Sequence, residues 1–419
     1  MPAPDALIPA VAGPRIVWAT RFPPSDAFRG GDAIYTAKLV RSLGRQARVD
    51  VLCHDGGGGA ERDADPGVYW HRLAWRKRPG WQSVAHRVPN IAFQFDRPAF
   101  WARLRTLSAE ADAVFLDHLG VWGGAARFAT DVRRAGGPPV IAVTHNHEAS
   151  LRRGMTAGVG DPLLRAALRL DSWKAARLEA RTLRAVDAAT CITEADLAAF
   201  RADHETLPLL VLPPGYDGPV VGDRRISPAS PVRAVLLGST TAFHKRLVLE
   251  QALASLQCLN EAAELSIDVV GDIDGEFHAR AAATAGPGLR VVGYVPDLAA
   301  TLAGARAAIL ADTVGGGFKL RALSLVFHRV PILAVAGALD GMGLAAGRHF
   351  LEFPDLASLV RALPAVLRDV GRLDTMQQAA FEHARGRFDW DRRATALLDF
   401  ARSLRGSLAA GSRARIARA

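Results

Sequence analysis

The chain has 419 residues, 49% hydrophobic and 22% charged, with three cysteines; this excludes a disordered polymer and a small disulfide scaffold. The length exceeds one typical core, so two domains of roughly 200 residues each are expected. Fifty-two Lys plus Arg against 42 Asp plus Glu leave a formal charge of +10, which favours anionic partners: nucleotide phosphates, anionic lipid or nucleic acid. Cys53, Cys191 and Cys258 lie far apart in apolar runs and read as buried free thiols of a reducing compartment. No secretory signal is visible in the first 20 residues, and no apolar stretch reaches the ~18 residues needed to span a bilayer. A cytoplasmic protein is expected, peripheral at most at the inner face of the membrane.

Short β-rich runs alternate with segments of helical period, the signature of parallel α/β architecture. Strands are predicted at 15–20, 49–53, 113–117, 139–144, 188–193 and 209–212, with helices at 32–44, 121–135 and 162–184 among them. Residues 1–212 therefore read as one doubly wound domain. The stretch 213–231, PPGYDGPVVGDRRISPASP, is rich in Pro and Gly, lacks periodicity and reads as a linker. A second doubly wound domain, 232–386, has strands predicted at 232–237, 265–270, 289–293, 307–311, 331–335 and 349–353. Residues 387–419 begin as an amphipathic helix and carry five arginines and no acid after Asp399, a solvated or lipid-facing end.

Ligands of open α/β sheets bind outside the carboxyl ends of the strands, so the loops there hold the candidates. After the first strand, Gly30 and Gly31 open a helix whose free N–H groups suit an anion, although a plain turn into a helix reads the same way. The Gly56–Gly59 run reads as a surface loop. Two strands end in Asp117-His118 and in Thr144-His145-Asn146-His147-Glu148. These titratable groups suit acid, base or hydroxyl-orienting roles on the acceptor side, and His-x-His without a fixed third ligand falls short of a zinc signature. In the second half, Gly238 and Ser239 lead into Lys245 and Arg246 at a helix start, a cradle for a diphosphate. Thr313 to Arg321 runs through Gly316, Gly317 and Phe318 to Lys319. Cations in a first helical turn oppose the helix dipole, which points to an anion there.

The element order, VLPPGYD, ARLEARTLRAVDAATCITEADLAAF, GGGFKLRALSLVFHRVPILAVAGALDGM and FDWDRRATALLDF resemble the retaining GT-B glycosyltransferases of the family-four type, from about residue 14 to 403. The resemblance implies two Rossmann-like domains facing across a cleft, a nucleotide-sugar donor on the C-terminal domain, a glycan or lipid-linked acceptor on the N-terminal domain, and a final helix crossing back to the first. It implies Gly30 and Gly31 near the donor phosphate and acceptor, His118 as the cleft histidine, and Lys245 with Lys319 on the diphosphate in place of a metal or other cofactor. Two glutamates of the family fall here on Gly316 and Ser324, neither acidic, and Ser324 retains only a hydroxyl for a ribose. A non-catalytic binding or scaffold protein of a glycan-assembly complex is the alternative. Between Tyr69 and Arg105, eight Lys or Arg stand against one acid, with Trp70, Trp75, Trp81 and Trp101 interleaved. That pattern suits an anionic membrane surface, as does the basic tail, with nucleic acid and plain core packing as the other readings.

Overall fold

A computed structural model describes residues 13–23, 30–55, 65–155, 161–241, 243–257, 265–286, 288–312 and 318–416. The chain divides into two compact units, Met1–Gly215 with Asp389–Ala419, and Tyr216–Phe388.

Unit 1 runs β1 (Arg15–Ala19), α1 (Gly31–Gly44), β2 (Arg48–Asp55), β3 (Val68–Ala74), α2 (Asn90–Phe95), α3 (Pro98–Ser108), β4 (Ala113–Asp117), α4 (Ala125–Arg134), β5 (Val140–Val143), α5 (Glu148–Met155), α6 (Pro162–Leu183), β6 (Ala188–Cys191), α7 (Glu194–Asp203) and β7 (Leu209–Val211). Its seven strands are parallel, in the order β3-β2-β1-β4-β5-β6-β7. The central strands β4, β5 and β6 are buried along their whole length, as a parallel sheet covered on both faces requires. β3 answers to no predicted strand. It is the edge strand, half-buried and mixed in polarity (VYWHRLA), so it lacks the continuous apolar run that marks its neighbours.

Unit 2 repeats the plan: β8 (Arg233–Ser239), α8 (Phe243–Leu256), β9 (Ser266–Asp272), α9 (Gly275–Thr284), β10 (Leu289–Gly293), α10 (Leu298–Ala303), β11 (Ala307–Leu310), α11 (Leu320–Phe327), β12 (Ile332–Val335), β13 (Leu351–Phe353), α12 (Leu356–Arg368) and α13 (Val370–Ala384). The six parallel strands take the order β10-β9-β8-β11-β12-β13. Both sheets reverse direction beside their first strand, between β1 and β4 and between β8 and β11. That is where a doubly wound sheet opens a crevice for a ligand.

The stretch 213–231 has no regular element, yet from Tyr216 it is fastened to unit 2. The amide of Tyr216 donates to the Phe388 carbonyl at 3.1 Å and that of Val221 to Phe327 at 2.9 Å. Ile226 is buried and its amide donates to Asp374 at 2.8 Å. The last helix, α14 (Trp390–Ile416), belongs to unit 1 and packs along α1. Gln46 donates to the Asp391 carbonyl at 3.1 Å, and Thr395 donates to Gln46 at 2.8 Å. Gly215 makes this fit possible, because a Cβ there would sit 2.6 Å from the Trp390 ring.

Both units bury one carboxylate in the second strand and hold it with an arginine from the start of the first. Asp50 on β2, wholly buried, accepts from Arg15 at 2.8 Å, Arg48 at 3.3 Å and His71 at 2.8 Å. Asp268 on β9 accepts from both Arg290 nitrogens at 2.8 Å, with Arg233 at 3.6 Å. Removing either carboxylate strands cations at the sheet edge. Asp50→Ala and Asp268→Ala should each cost about 2 kcal/mol, less than a wholly buried pair because the arginines reach solvent. Denaturant midpoints of the two variants check this, and unchanged midpoints contradict it.

Candidate functional site

A cavity of about 240 Å³ opens at the switch point of unit 1, walled by Thr20, Arg21, Gly30, Asp32, Asp117, His118 and His145 among others. Asp117 ends β4 and is almost wholly buried. One of its oxygens receives the hydroxyls of Thr20 at 2.9 Å and Thr36 at 2.8 Å; the other meets His145 Nε2 at 2.7 Å. Asp117 thus clamps the ends of β1, β4 and β5 to α1. Burial alone would lower the His145 pKa, but the Asp117 carboxylate in direct contact raises it above its ordinary value. His145 Nδ1, buried, has no hydrogen-bond partner.

His118 follows with φ of 75°, a conformation that glycine adopts freely and that strains a residue with a β-carbon. Its Nδ1 accepts from the Gly120 amide at 2.9 Å, so in the neutral ring the proton sits on Nε2. Burial, reinforced by the Arg21 charge, drives the His118 pKa well down. The result is a neutral imidazole presenting an Nε2–H donor, 3.8 Å from Asp32. Gly120 admits Arg21 here, since a Cβ would lie 2.5 Å from the arginine Cδ. Arg21 in turn pairs with Asp32 in the first turn of α1. Although burial pushes the Asp32 pKa up, the neighbouring Arg21 charge outweighs it and holds the carboxyl below its usual range.

The structure brings Gly30, Asp117, His118 and His145 into one cavity, and Gly31 begins α1 beside it. His147 and Glu148 fall in a separate network. His147 contacts Ser150 at 2.7 Å and Asp203 at 3.2 Å, while Glu148 takes Arg152 at 2.7 Å. Glu179, its pKa pushed up to about 7 by burial, accepts the Glu148 and Ala149 amides at the start of α5. These groups brace a helix terminus. Arg21, Thr20 and Thr36 belong to the cavity without having been singled out in the sequence; the position of Thr20 and Arg21 just past β1 was the available signal.

In unit 2, Gly238 and Ser239 end β8, and Lys245 and Arg246 lie in the first turn of α8. Arg246 meets Asp274 at 3.1 Å. Lys319 is the N-cap of α11, just before its first turn, and Arg321 is paired with Asp312, so that first-turn cation has its counter-charge within the chain. Phe318 packs on Phe388 at 5.9 Å. Ser324 lies on α11 beside the Tyr216 hydroxyl, and its carbonyl accepts from the His328 ring at 2.7 Å. Gly316 and Gly317, with Cys258 and the Gly56–Gly59 run, lie outside the described residues. Cys53 and Cys191 are buried free thiols whose pKa burial pushes up to about 12. Among the described residues, no group of three or more His, Cys, Asp or Glu is placed to hold a metal ion.

Three of the four interleaved tryptophans pack against unit 1, one of them buried. Trp101 is buried and donates to Asp96 at 2.6 Å; Trp75 packs on Phe22 and Phe95; Trp70, half-buried, lies under Arg72. Trp81 is the exception, 74% exposed.

Residues 30–215 match the glycosyl transferase 4-like domain family. No curated protein sequence matches the chain. Among solved structures, Anabaena HepE in complex with UDP and glucose aligns over 93% of this chain and 100% of its own, with 14% identity and a TM-score of 0.61. Sucrose-phosphate synthase of Thermosynechococcus elongatus aligns over 94% and 100%, at 16% identity and a TM-score of 0.68. The α,α-trehalose-phosphate synthase (UDP-forming) of Burkholderia vietnamiensis aligns over 94% and 100%, at 15% and 0.61. The chain has the GT-B fold, two Rossmann-like units with parallel sheets of seven and six strands.

His54, at the end of β2, is stacked on Phe100 at 4.9 Å, and burial lowers its pKa to about 4 even though the Arg21 carbonyl favours the charged form. The unfolded chain takes up this proton near pH 6.5 and the folded chain only near pH 4. Stability is therefore full above about pH 6.5 and falls as the pH drops toward 4. His54→Phe should flatten this slope and gain about 2 kcal/mol on the native protein between pH 7 and pH 5. Melting both proteins across that range checks it, and parallel curves contradict it.

Proposed function

We propose that the protein is a glycosyltransferase, moving a hexose from a nucleotide-sugar donor to a hydroxyl of a glycan, lipid-linked or natural-product acceptor with retention of configuration. One observation carries the reading: the strained His118 offers an Nε2–H donor into a cavity at the switch point, inside the segment that matches the glycosyl transferase 4-like domain. A neutral ring at that place hydrogen-bonds a sugar or acceptor hydroxyl, and strain held at a cavity wall fits a working residue better than a structural one. In this reading unit 1 takes the acceptor, through Asp117, His118 and His145. Unit 2 takes the nucleotide, through Gly238, Ser239, Lys245, Arg246, Phe318, Lys319, Ser324 and the 316–317 glycines.

The anomeric carbon exchanges its bond to the diphosphate oxygen for one to the acceptor oxygen on the same face, and the acceptor's hydroxyl proton passes to the departing diphosphate oxygen. Charge developing on the leaving diphosphate is met by Lys245 and Lys319, without a metal or other cofactor. The protein works in the cytoplasm, peripheral to the inner face of a membrane, and nucleic acid is not its partner. A thermal-shift screen of UDP, GDP, ADP, CMP and dTDP sugars, followed by turnover of the stabilising donor, tests the reading. A stabilising donor that is neither hydrolysed nor transferred would favour a GT-B-like binding protein, with Gly316 and Ser324 in place of the acids as the reason.

His118→Gly relieves a backbone conformation costing of order 1–3 kcal/mol. The variant should keep or raise the melting temperature and bind nucleotide as the native protein does, yet lose transfer about 100-fold. Lys319→Ala should leave stability nearly unchanged and raise the transfer barrier by ~2 to 4 kcal/mol, as expected for a charge-assisted bond to the leaving phosphate. Steady-state kinetics of the two variants beside their melting curves check both outcomes.

A further inference from the structure

Six of the ten large apolar side chains exposed among the described residues stand on two short segments of unit 1. One is the turn Gly80–Ser83 with the chain running on to Asn90, which carries Trp81 and Val84. The other is the first half of α6. The buried residues of α6 begin only at Lys174. Before it, Leu163 is 82% exposed, Trp173 58%, and Leu164 and Leu170 are also open. Leu163, Leu170 and Trp173, separated by seven and by three positions, share one side of the helix and set an apolar stripe along it.

The two segments are joined. Lys174, itself buried, donates from Nζ to the Ser83 carbonyl at 2.9 Å and the Val84 carbonyl at 2.7 Å. Asp171 accepts the Asn90 amide at 2.6 Å. The turn and the helix therefore form one surface, larger in apolar content than scattered exposure explains.

Its charge is positive. Arg76, Lys77, Arg87 and Arg169 are exposed, and none is paired with an acid among the described residues. The acids nearby are already engaged: Asp161 caps α6 through the Leu163 and Leu164 amides, and Asp171 also binds Arg152 at 2.9 Å. Arg177 lies over the Trp173 ring at 5.5 Å.

We infer that this surface docks unit 1 on an anionic lipid bilayer. Indoles at headgroup depth, leucines below them and cations beside them are the composition that an interfacial helix needs. A second copy of the chain would bring the same positive charge against it, and nucleic acid would leave the leucine stripe unused. No helix among the described residues is long and apolar enough to cross a membrane, so the contact is interfacial. Arg152, which pairs with Asp171 at this surface, is near enough to His118 for its charge to help lower that imidazole's pKa. A lipid-borne acceptor would reach the cavity from there, and that clause alone rests on the transferase reading.

The test uses the full chain with phosphatidylcholine vesicles and with phosphatidylglycerol-rich vesicles, read by co-sedimentation and by quenching of tryptophan fluorescence with brominated lipid. Binding is expected to the anionic vesicles only, weakening as salt rises. The double variant Trp81→Ser/Trp173→Ser should weaken it by about tenfold or more with the melting temperature and nucleoside-diphosphate binding unchanged. Arg87→Glu/Arg169→Glu should weaken it in the same way. Equal binding by native protein and variants, no binding to anionic vesicles, or a solution dimer that the tryptophan variant dissolves would overturn the inference. Vesicle binding requires no sugar transfer, so its failure and that of the transferase reading are separable.

Discussion

Unit 1 is organised around the buried carboxylate of Asp117. A charge out of water must have its lone pairs answered, and this one is answered by Thr20, Thr36 and His145, from β1, α1 and the loop after β5. Those are the elements that open at the switch point. With the carboxylate fixed, the chain leaves β4 through His118 at a positive φ, and the Gly120 amide sets its proton on Nε2. The cavity, the tautomer and the strain follow from one satisfied ion.

Much of this was legible in the sequence, because parallel strands buried on both faces write themselves as apolar runs and their carboxyl ends are where a doubly wound sheet binds. Asp117, His118 and His145 were found on that rule alone. The same rule did not separate His145 from His147, two residues on, because which side chain turns inward depends on Glu179 of α6 and Asp203 of α7, elements remote in sequence. Arg321 shows the opposite failure. A first-turn cation looked unanswered in the sequence, and its partner, Asp312, stands nine residues earlier just past β11. The tryptophans between 69 and 105 are indistinguishable by composition, whereas the structure buries Trp101 on α3, half-buries Trp70 and Trp75, and leaves Trp81 out.

The two units share more than strand order. Arg15 with Asp50 and Arg233 with Asp268 stand at matching places in the first two strands of each sheet. Both ion pairs lie at the amino ends of the strands, away from the switch points. Ion pairs brace the amino end of each sheet, and in unit 1 the strained and titratable groups gather at the other end. In unit 2 that other end holds Ser239 bonded to Thr241, and Thr240 accepting from the Asp274 amide, with Asp274 also capping α9.

The most direct measurement is the turnover of Asp117→Asn with the donor that stabilises the native protein. The amide keeps the shape of the clamp and removes its charge, so His145 loses what holds its pKa up and the wall carrying His118 loses its anchor. The account predicts a folded variant that binds nucleotide as the native protein does and transfers sugar at least about 100-fold more slowly. Transfer at the native rate would contradict it, and would move the chemistry away from this cavity.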